Sequence, residues 1–388
     1  MPYDMNAQLI INDEWCHVLN MLPGDMEESC DAKLAIRRRR QITSPQNLLR
    51  LCLGYSLCDM SLRQLAAWSA VSGLGELSDV AILKRLRASS DWLGHLVFQW
   101  LEQHGVDSVT GAGQWRVRLI DATTIQRPGS RTTDLRLHAG FDLASQRLTT
   151  LELTGCEGGE SLKRHLFEEG EVVIGDRGYA HAAGIASALR QGAHALVRGH
   201  WQNLPLQNKA GRKLDVIELM GLIDGDELGD WPVWIENDGE RFAMRLILMR
   251  QSAEATERQQ RTIRAEARKK GREPNPKSLR AAGWMMVLTD LEASQLPAVQ
   301  ALELYRFRWQ IELAFKRLKS LHHLDRIRAK DERLAQTYVF GKLLGALIVE
   351  ELGERALDFF PWGFPLVAQG AQPLEAGRSV AGLAERGG

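Results

Sequence analysis

Trp115-Arg116-Val117-Arg118-Leu119-Ile120-Asp121 alternates in character and then runs into a carboxylate. A period of two marks a half-buried strand, because successive side chains leave opposite faces of the pleat. Leu135 to Leu143 and Arg147 to Leu153 are further strand-like runs, so three consecutive strands form an antiparallel meander. Beyond them Glu160 to Phe167 reads as a short helix, and Glu171-Val172-Val173-Ile174 as a buried strand ending at Asp176. A helix from Ala180 to Arg190 and a strand from Ala193 to Val197 follow.

The order strand, strand, strand, helix, strand, helix, strand is the ribonuclease H-like arrangement, an α/β fold in which helices flank a mixed sheet and carboxylates project from strand ends. Upstream, the chain from Pro45 to Gln103 reads as helices, with Ser61 an N-cap before Leu62 and Ser78 opening the stretch to Arg87. Leu62 to Arg87, with Gly73 and Gly75 between two helical stretches, fits a helix-turn-helix, and a plain helical bundle fits equally well. Downstream, strand-like runs at Leu214 to Leu222, Trp231 to Glu236, Arg241 to Met249 and Trp284 to Leu288, together with a basic helix, form a β-rich insertion. Pro297 to Leu321 reads as one long helix and Arg333 to Leu352 as another. The stretch from Gln369 to Gly388, rich in Gly, Ala and charge, reads as loosely ordered. The expected organisation is an all-α, DNA-binding N-terminal domain over 1–110 and a core split between 111–200 and 293–355. The insertion occupies 201–292 and a tail 356–388.

With 388 residues the chain exceeds the size at which one core usually stops growing. Its 44% apolar and 25% charged residues place it among globular rather than disordered or fibrous proteins. Met1 to Glu14 lacks a basic segment followed by an apolar run, and no apolar stretch reaches membrane-spanning length, so a cytosolic, nucleoid-associated protein is expected. Five cysteines, Cys16, Cys30, Cys52, Cys58 and Cys156, include no C-x-x-C pair and read as reduced, buried thiols. The formal net charge is zero, but its distribution is uneven. Nine basic residues fall between Arg258 and Arg280 against Glu266 and Glu273, and Arg37 to Arg40 form a second block. Taken alone, such runs are solvated helix faces.

The helix after the insertion carries the sharpest pattern. Tyr305, Arg308, Glu312 and Lys319 are spaced so that, at about 100° per residue, they share one stripe roughly 60° wide. Leu304, Phe307, Ile311, Ala314, Phe315 and Leu318 occupy the adjoining arc, which anchors that flank in a core. Read as YRFRWQIELAFKRLK, the stretch resembles the signature Y-x-x-R-x-x-x-E-x-x-x-x-x-x-K of the insertion-sequence-four (IS-four) family of DDE transposases, the group of the Tn-five and Tn-ten enzymes. RLIDATTI around Asp121 resembles that family's first aspartate strand and VVIGDRGY around Asp176 its second, so the similarity spans about Pro45 to Leu352.

The resemblance implies Asp121, Asp176 and Glu312 as a metal-binding catalytic triad. Phosphoryl transfer at a DNA phosphodiester asks for the same residue type, since Mg²⁺ or Mn²⁺ prefers hard oxygen ligands, and a pair of ions can activate the attacking oxygen and stabilise the leaving one. Asp134, Asp142 and Glu152 are the competing carboxylates; each reads as structural or exposed, with Asp142 the next choice. By resemblance Tyr305, Arg308 and Lys319 contact terminal phosphates of the DNA end. Trp284 falls where the Tn-five type carries a tryptophan that stacks on a flipped base, although a buried core tryptophan fits as well. Arg258, Arg261, Arg264 and Arg268 are expected to meet DNA phosphates. His322 and His323 lack partners at metal-ligand spacing and read as surface or phosphate contacts. The function implied is cleavage at transposon ends and strand transfer into target DNA, by a homodimer on paired terminal repeats. A nuclease that never rejoins, and a DNA-binding regulator descended from a transposase, are the alternatives.

Overall fold

The computed structural model describes residues 15–103, 115–130, 132–325 and 327–359. The expectations for Met1 to Glu14 and for the loosely ordered stretch from Gln369 to Gly388 lie outside the described residues. Helices come first: helical residues 15–21 lead into α1 (Met26–Ala32), α2 (Pro45–Leu57), α3 (Leu62–Val71), α4 (Asp79–Ala88) and α5 (Ser90–Gln103). Their starts follow from local chemistry. Ser61 accepts from the Gln64 amide while the Gln64 side chain accepts from the Ser61 amide, a reciprocal cap on α3, and Ser78 accepts from Ala81 N to start α4. The α3–α4 turn needs its glycine: Gly75 has φ +145°, and a Cβ there would lie 2.8 Å from the Gln41 carbonyl oxygen.

Strands β1 (Val117–Ile125), β2 (Leu135–Asp142) and β3 (Arg147–Gly155) form the expected antiparallel meander. They are followed by β4 (Val172–Gly175), α6 (Ala182–Arg190) and β5 (His194–Arg198), with β4 parallel to both β1 and β5. The insertion contains α7 (Val216–Leu219), β6 (Gly229–Asn237), β7 (Glu240–Arg250), α8 (Ala253–Lys269), α9 (Pro276–Ala281) and β8 (Trp284–Thr289). Its strands continue the main sheet: β8 pairs antiparallel with β5, giving one eight-stranded sheet in the order β3-β2-β1-β4-β5-β8-β7-β6. The last described elements are α10 (Ala298–Arg306), α11 (Trp309–His322) and α12 (Glu332–Phe359). The mixed sheet flanked by helices, with helices at the N-terminal side, is the α/β architecture expected from the sequence.

The period of two sorts each central strand between two cores. Leu119, Val172, Ile174 and Leu196 join one, which also takes in the N-terminal helices, α11 and α12. Ile120, Val173, Ala195 and Val197 face the other, beneath α6 and the insertion. The helical N-terminal segment therefore shares apolar packing with the sheet. α12 lies against α2, α4 and α5.

Four local expectations are corrected. Glu160 to Phe167 is not a helix; only the 3-10 turn Leu162–Arg164 forms there. Leu214 to Leu222 is not a strand, because Asp215 caps the Ile217 amide at 2.9 Å and starts α7. The long helix after the insertion is broken at Phe307 and Arg308, where Phe307 N, Arg308 N and Gln310 N each donate three residues back rather than four. Of the cysteines, Cys30 and Cys52 are buried, but Cys16, Cys58 and Cys156 are exposed. Among the described residues no helix is long and apolar enough to cross a membrane.

Candidate active site

The register between β1 and β4 brings the two aspartates together. Ile120 is the partner of Gly175 in this parallel pair, so the next residue on each chain, Asp121 and Asp176, stands at the same level of neighbouring strands. Asp121 shares the strand face of Leu119 and Ile125, the face on which α11 packs through Ile311, Phe315 and Leu318. Asp176 lies just beyond the end of β4, where it caps the 3-10 turn Arg177–Tyr179 by accepting from Gly178 N at 2.7 Å. Glu312 lies in the first turn of α11, about half-exposed.

Arg308 ties this group together. Its Nη1 is 3.7 Å from Asp121 Oδ2, and its Nη2 donates to Glu312 Oε1. Burial pushes the Asp121 carboxyl up to about 6; the Ala122 amide and Arg308 oppose that rise, and the Asp176 and Glu312 charges add to it. Burial works against the Arg308 guanidinium, but Tyr305, Glu312 and Asp121 together hold its pKa above the usual value. A guanidinium thus partly offsets carboxylates that repel one another. Among the described residues no three His, Cys, Asp or Glu side chains already close on a common point. The donor set still suits a hard divalent cation: the oxygens are carboxylate, and their mutual repulsion is what such an ion would relieve.

Two clefts flank the group. One, of about 530 Å³, is lined by Asp121, Glu312 and Lys319, with His323 at its edge. The other, of about 820 Å³, runs between the core and the insertion and is lined by Asp176, Arg308 and Trp284 together with Arg177, Arg198 and Arg272. Tyr305 is buried, its hydroxyl beside Arg308, Arg198 and Asp176. Trp284 is also buried, with the Arg250 guanidinium 4.5 Å over its ring, so it packs as a core tryptophan while edging the larger cleft. Arg258, Arg261, Arg264 and Arg268 are all exposed on α8 and line neither cleft; Arg261 pairs with Glu257 and Arg264 donates to Gln260. The side chain of His322 lies outside the described residues.

The competing carboxylates have other engagements. Asp134 pairs with Arg127, Glu152 with Arg164, and the buried Asp142 accepts from Ser145. Sequence reasoning missed Arg177 and Arg198. Arg177 follows Asp176 directly; burial and the neighbouring Arg198 lower its pKa, and its Nε has no partner. A half-buried cation with an unspent donor is a signal that the sequence alone does not carry.

Comparison with known proteins gives the family. The family profile described as "Transposase DDE domain" matches residues 113–348. The InsL transposase for insertion sequence element IS186A of Escherichia coli (strain K12) is 37% identical over 358 residues, covering 90% of this chain and 96% of that protein. The transposase for insertion sequence element IS421 of Escherichia coli is 36% identical over 359 residues with the same coverage. The transposase for insertion sequence element IS231F of Bacillus thuringiensis subsp. israelensis is 22% identical over 366 residues, covering 84% of this chain. Since the profile spans more than half of the sequence and these relatives nearly all of it, the chain belongs to the DDE transposases, metal-dependent enzymes that cleave DNA and transfer its strands.

Proposed function

We propose that Asp121, Asp176 and Glu312 are the metal ligands, and that they hold two Mg²⁺ or Mn²⁺ ions for cleavage at transposon ends and joining to target DNA. The parallel register that pairs Ile120 with Gly175 supports this reading most directly, because it sets two carboxylates side by side under the helix that bears the third. Bound ions would supply Lewis-acid stabilisation of the charge on the phosphodiester oxygens. The protein's own residues do the positioning. Asp121 and Asp176 are held by the sheet, and each accepts a nearby backbone amide, Ala122 N and Gly178 N. The attacking group is water in cleavage and a 3′-hydroxyl in transfer.

The DNA end is proposed to lie across the two clefts. Arg308 and Lys319 flank the carboxylates, one in each cleft, and Arg177 and Arg198 extend the positive lining past Asp176. A guanidinium gives phosphate a two-pronged donor and lysine a point charge. The Tyr305 hydroxyl would add a neutral donor if the end reaches it, and Trp284 a surface for a base. Arg258, Arg261, Arg264 and Arg268 form an exposed row suited to flanking phosphates. A homodimer on paired ends is the proposed assembly. The test is metal-dependent cleavage of plasmid DNA that carries the element's terminal repeats, followed by joining of a precut end. Cleavage without joining would leave a nuclease; neither, with binding retained, would leave a DNA-binding regulator.

A further inference from the structure

Glu160 belongs to none of the groups used so far. Its segment follows β3 and is pinned by the wholly buried Leu162 and by Ser161, whose hydroxyl accepts from Lys163 N at 3.3 Å. This holds the Glu160 carboxylate over Gly178, two residues beyond Asp176. A Cβ at Gly178 would collide with Glu160 Oε2 and lie 3.0 Å from Asp176 Oδ1, so two carboxylates share space that only a glycine leaves open. The positive groups that bear on Glu160 are Arg136 and His181, and Arg136 gives its Nη1 to the Gly158 carbonyl at 2.9 Å.

Tyr179 is the second observation. Its ring is wholly buried, packed so closely on β4 that a Cβ at Gly175 would be 2.9 Å from its own Cβ. Among the described residues its hydroxyl has no hydrogen-bond partner, and the charges that bear on it are the carboxylates of Asp121, Glu160 and Asp176, opposed by Arg136. Native proteins satisfy such buried donors with protein groups or ordered water. A buried donor beside the carboxylate pair of Glu160 and Asp176 fits a hydrated cation, since Mg²⁺ keeps several of its waters when bound.

We propose that Glu160 is a fourth carboxylate of the metal centre, on the Asp176 side, and that the Tyr179 hydroxyl hydrogen-bonds within the same hydrated shell. This rests on the assignment of Asp176 as a metal ligand. Calorimetric titration of Mn²⁺ into the full chain without DNA tests it, paired with melting temperatures in EDTA. Glu160→Gln should weaken Mn²⁺ binding about tenfold or more, Glu160→Asp should restore part of the loss, and Tyr179→Phe should cost less than Glu160→Gln. In EDTA, Glu160→Gln should melt at or above the wild-type temperature, because a like charge beside Asp176 has gone. Wild-type Mn²⁺ affinity in Glu160→Gln, alongside weakened binding in Asp176→Asn, overturns the proposal. So does a lowered metal-free melting temperature, which would make Glu160 a structural partner of Arg136 or His181. If Asp176→Asn itself binds Mn²⁺ normally, the reading of Asp176 falls and this proposal with it.

Discussion

Replacing Arg308 with glutamine should make the metal-free protein less stable and, at the same time, make it take up divalent cations more tightly. Arg308 is the positive charge held against the carboxylates, 3.7 Å from Asp121 and bonded to Glu312. Unit charges about 4 Å apart attract by about 4 kcal/mol at an effective dielectric constant of roughly 20. Desolvation of the guanidinium and the half-exposed position of Glu312 reduce this to a net contribution of about 1–2 kcal/mol. That contribution has to be given up when a cation takes over the carboxylates. Losing it beforehand should raise metal affinity by about tenfold, the equivalent of ~1.4 kcal/mol. Urea midpoints in EDTA measure the first effect, and calorimetric titration of Mg²⁺ or Mn²⁺ without DNA the second. Arg308→Lys should fall between the two, since it keeps the charge and loses the fork. Unchanged metal affinity in a variant of unchanged metal-free stability would refute the idea that Arg308 stands in for the ion. The family resemblance implies separate partners for Arg308 and Glu312, DNA phosphate and metal, and the ion pair between them adds a role for Arg308 before either is bound.

Three further outcomes are expected. Asp121→Ala, Asp176→Ala and Glu312→Ala should each reduce metal-dependent cleavage by at least ~10³, about 4 kcal/mol of lost transition-state stabilisation, while gel-shift binding to the terminal repeats persists; near-normal cleavage by any of them removes that residue from the triad. Neutralising Arg258, Arg261 and Arg264 together should flatten the slope of log affinity against log salt by about 0.9 per lost phosphate contact, and an unchanged slope would leave α8 a solvated face. Burial, followed by nearby arginines, pushes the imidazole of His138 down to about 4; in His165, burial and then Arg118 push it down to about 3. Because these folded-state values lie below the unfolded one, the unfolded chain binds more protons, and stability present above pH ~6.5 is lost as pH falls from there towards 4. Asp121 acts in the opposite sense between its unfolded value and about 6, one group against two. His165→Gln should therefore flatten the fall in urea midpoint between pH 7 and pH 5, and an equally steep fall would show that the imidazole is not its source.

What the sequence discloses here is what repeats locally. The alternation in Val117 to Ile125 is legible because a strand buried on both faces still sends Leu119 and Ile120 to different cores, and Asp121, within β1, and Asp176, just beyond β4, are legible because charge interrupts an apolar run. Ser61 and Ser78 could be read as caps from side-chain chemistry alone. Where the pattern is short the same reasoning fails. Leu214 to Leu222 is an apolar run that periodicity cannot assign, and the deciding contact is the single bond from Ile217 N to Asp215. The break at Phe307 and Arg308 is invisible to a helical wheel, which assumes uniform pitch, yet it falls at the residue that reaches Asp121. Nor does any local feature say that β8 must lie beside β5, because that pairing is set by the apolar faces of strands separated by most of the insertion. The family signature assigns residue types to elements, but the electrostatics of the site depends on which charges meet in space. Arg308 against Asp121, Arg177 beside Arg198 and Glu160 over Gly178 all join segments distant in sequence or re-aimed by a turn. Composition explains none of these, and in the proposed metal centre it is they that would set how strongly the site attracts a cation.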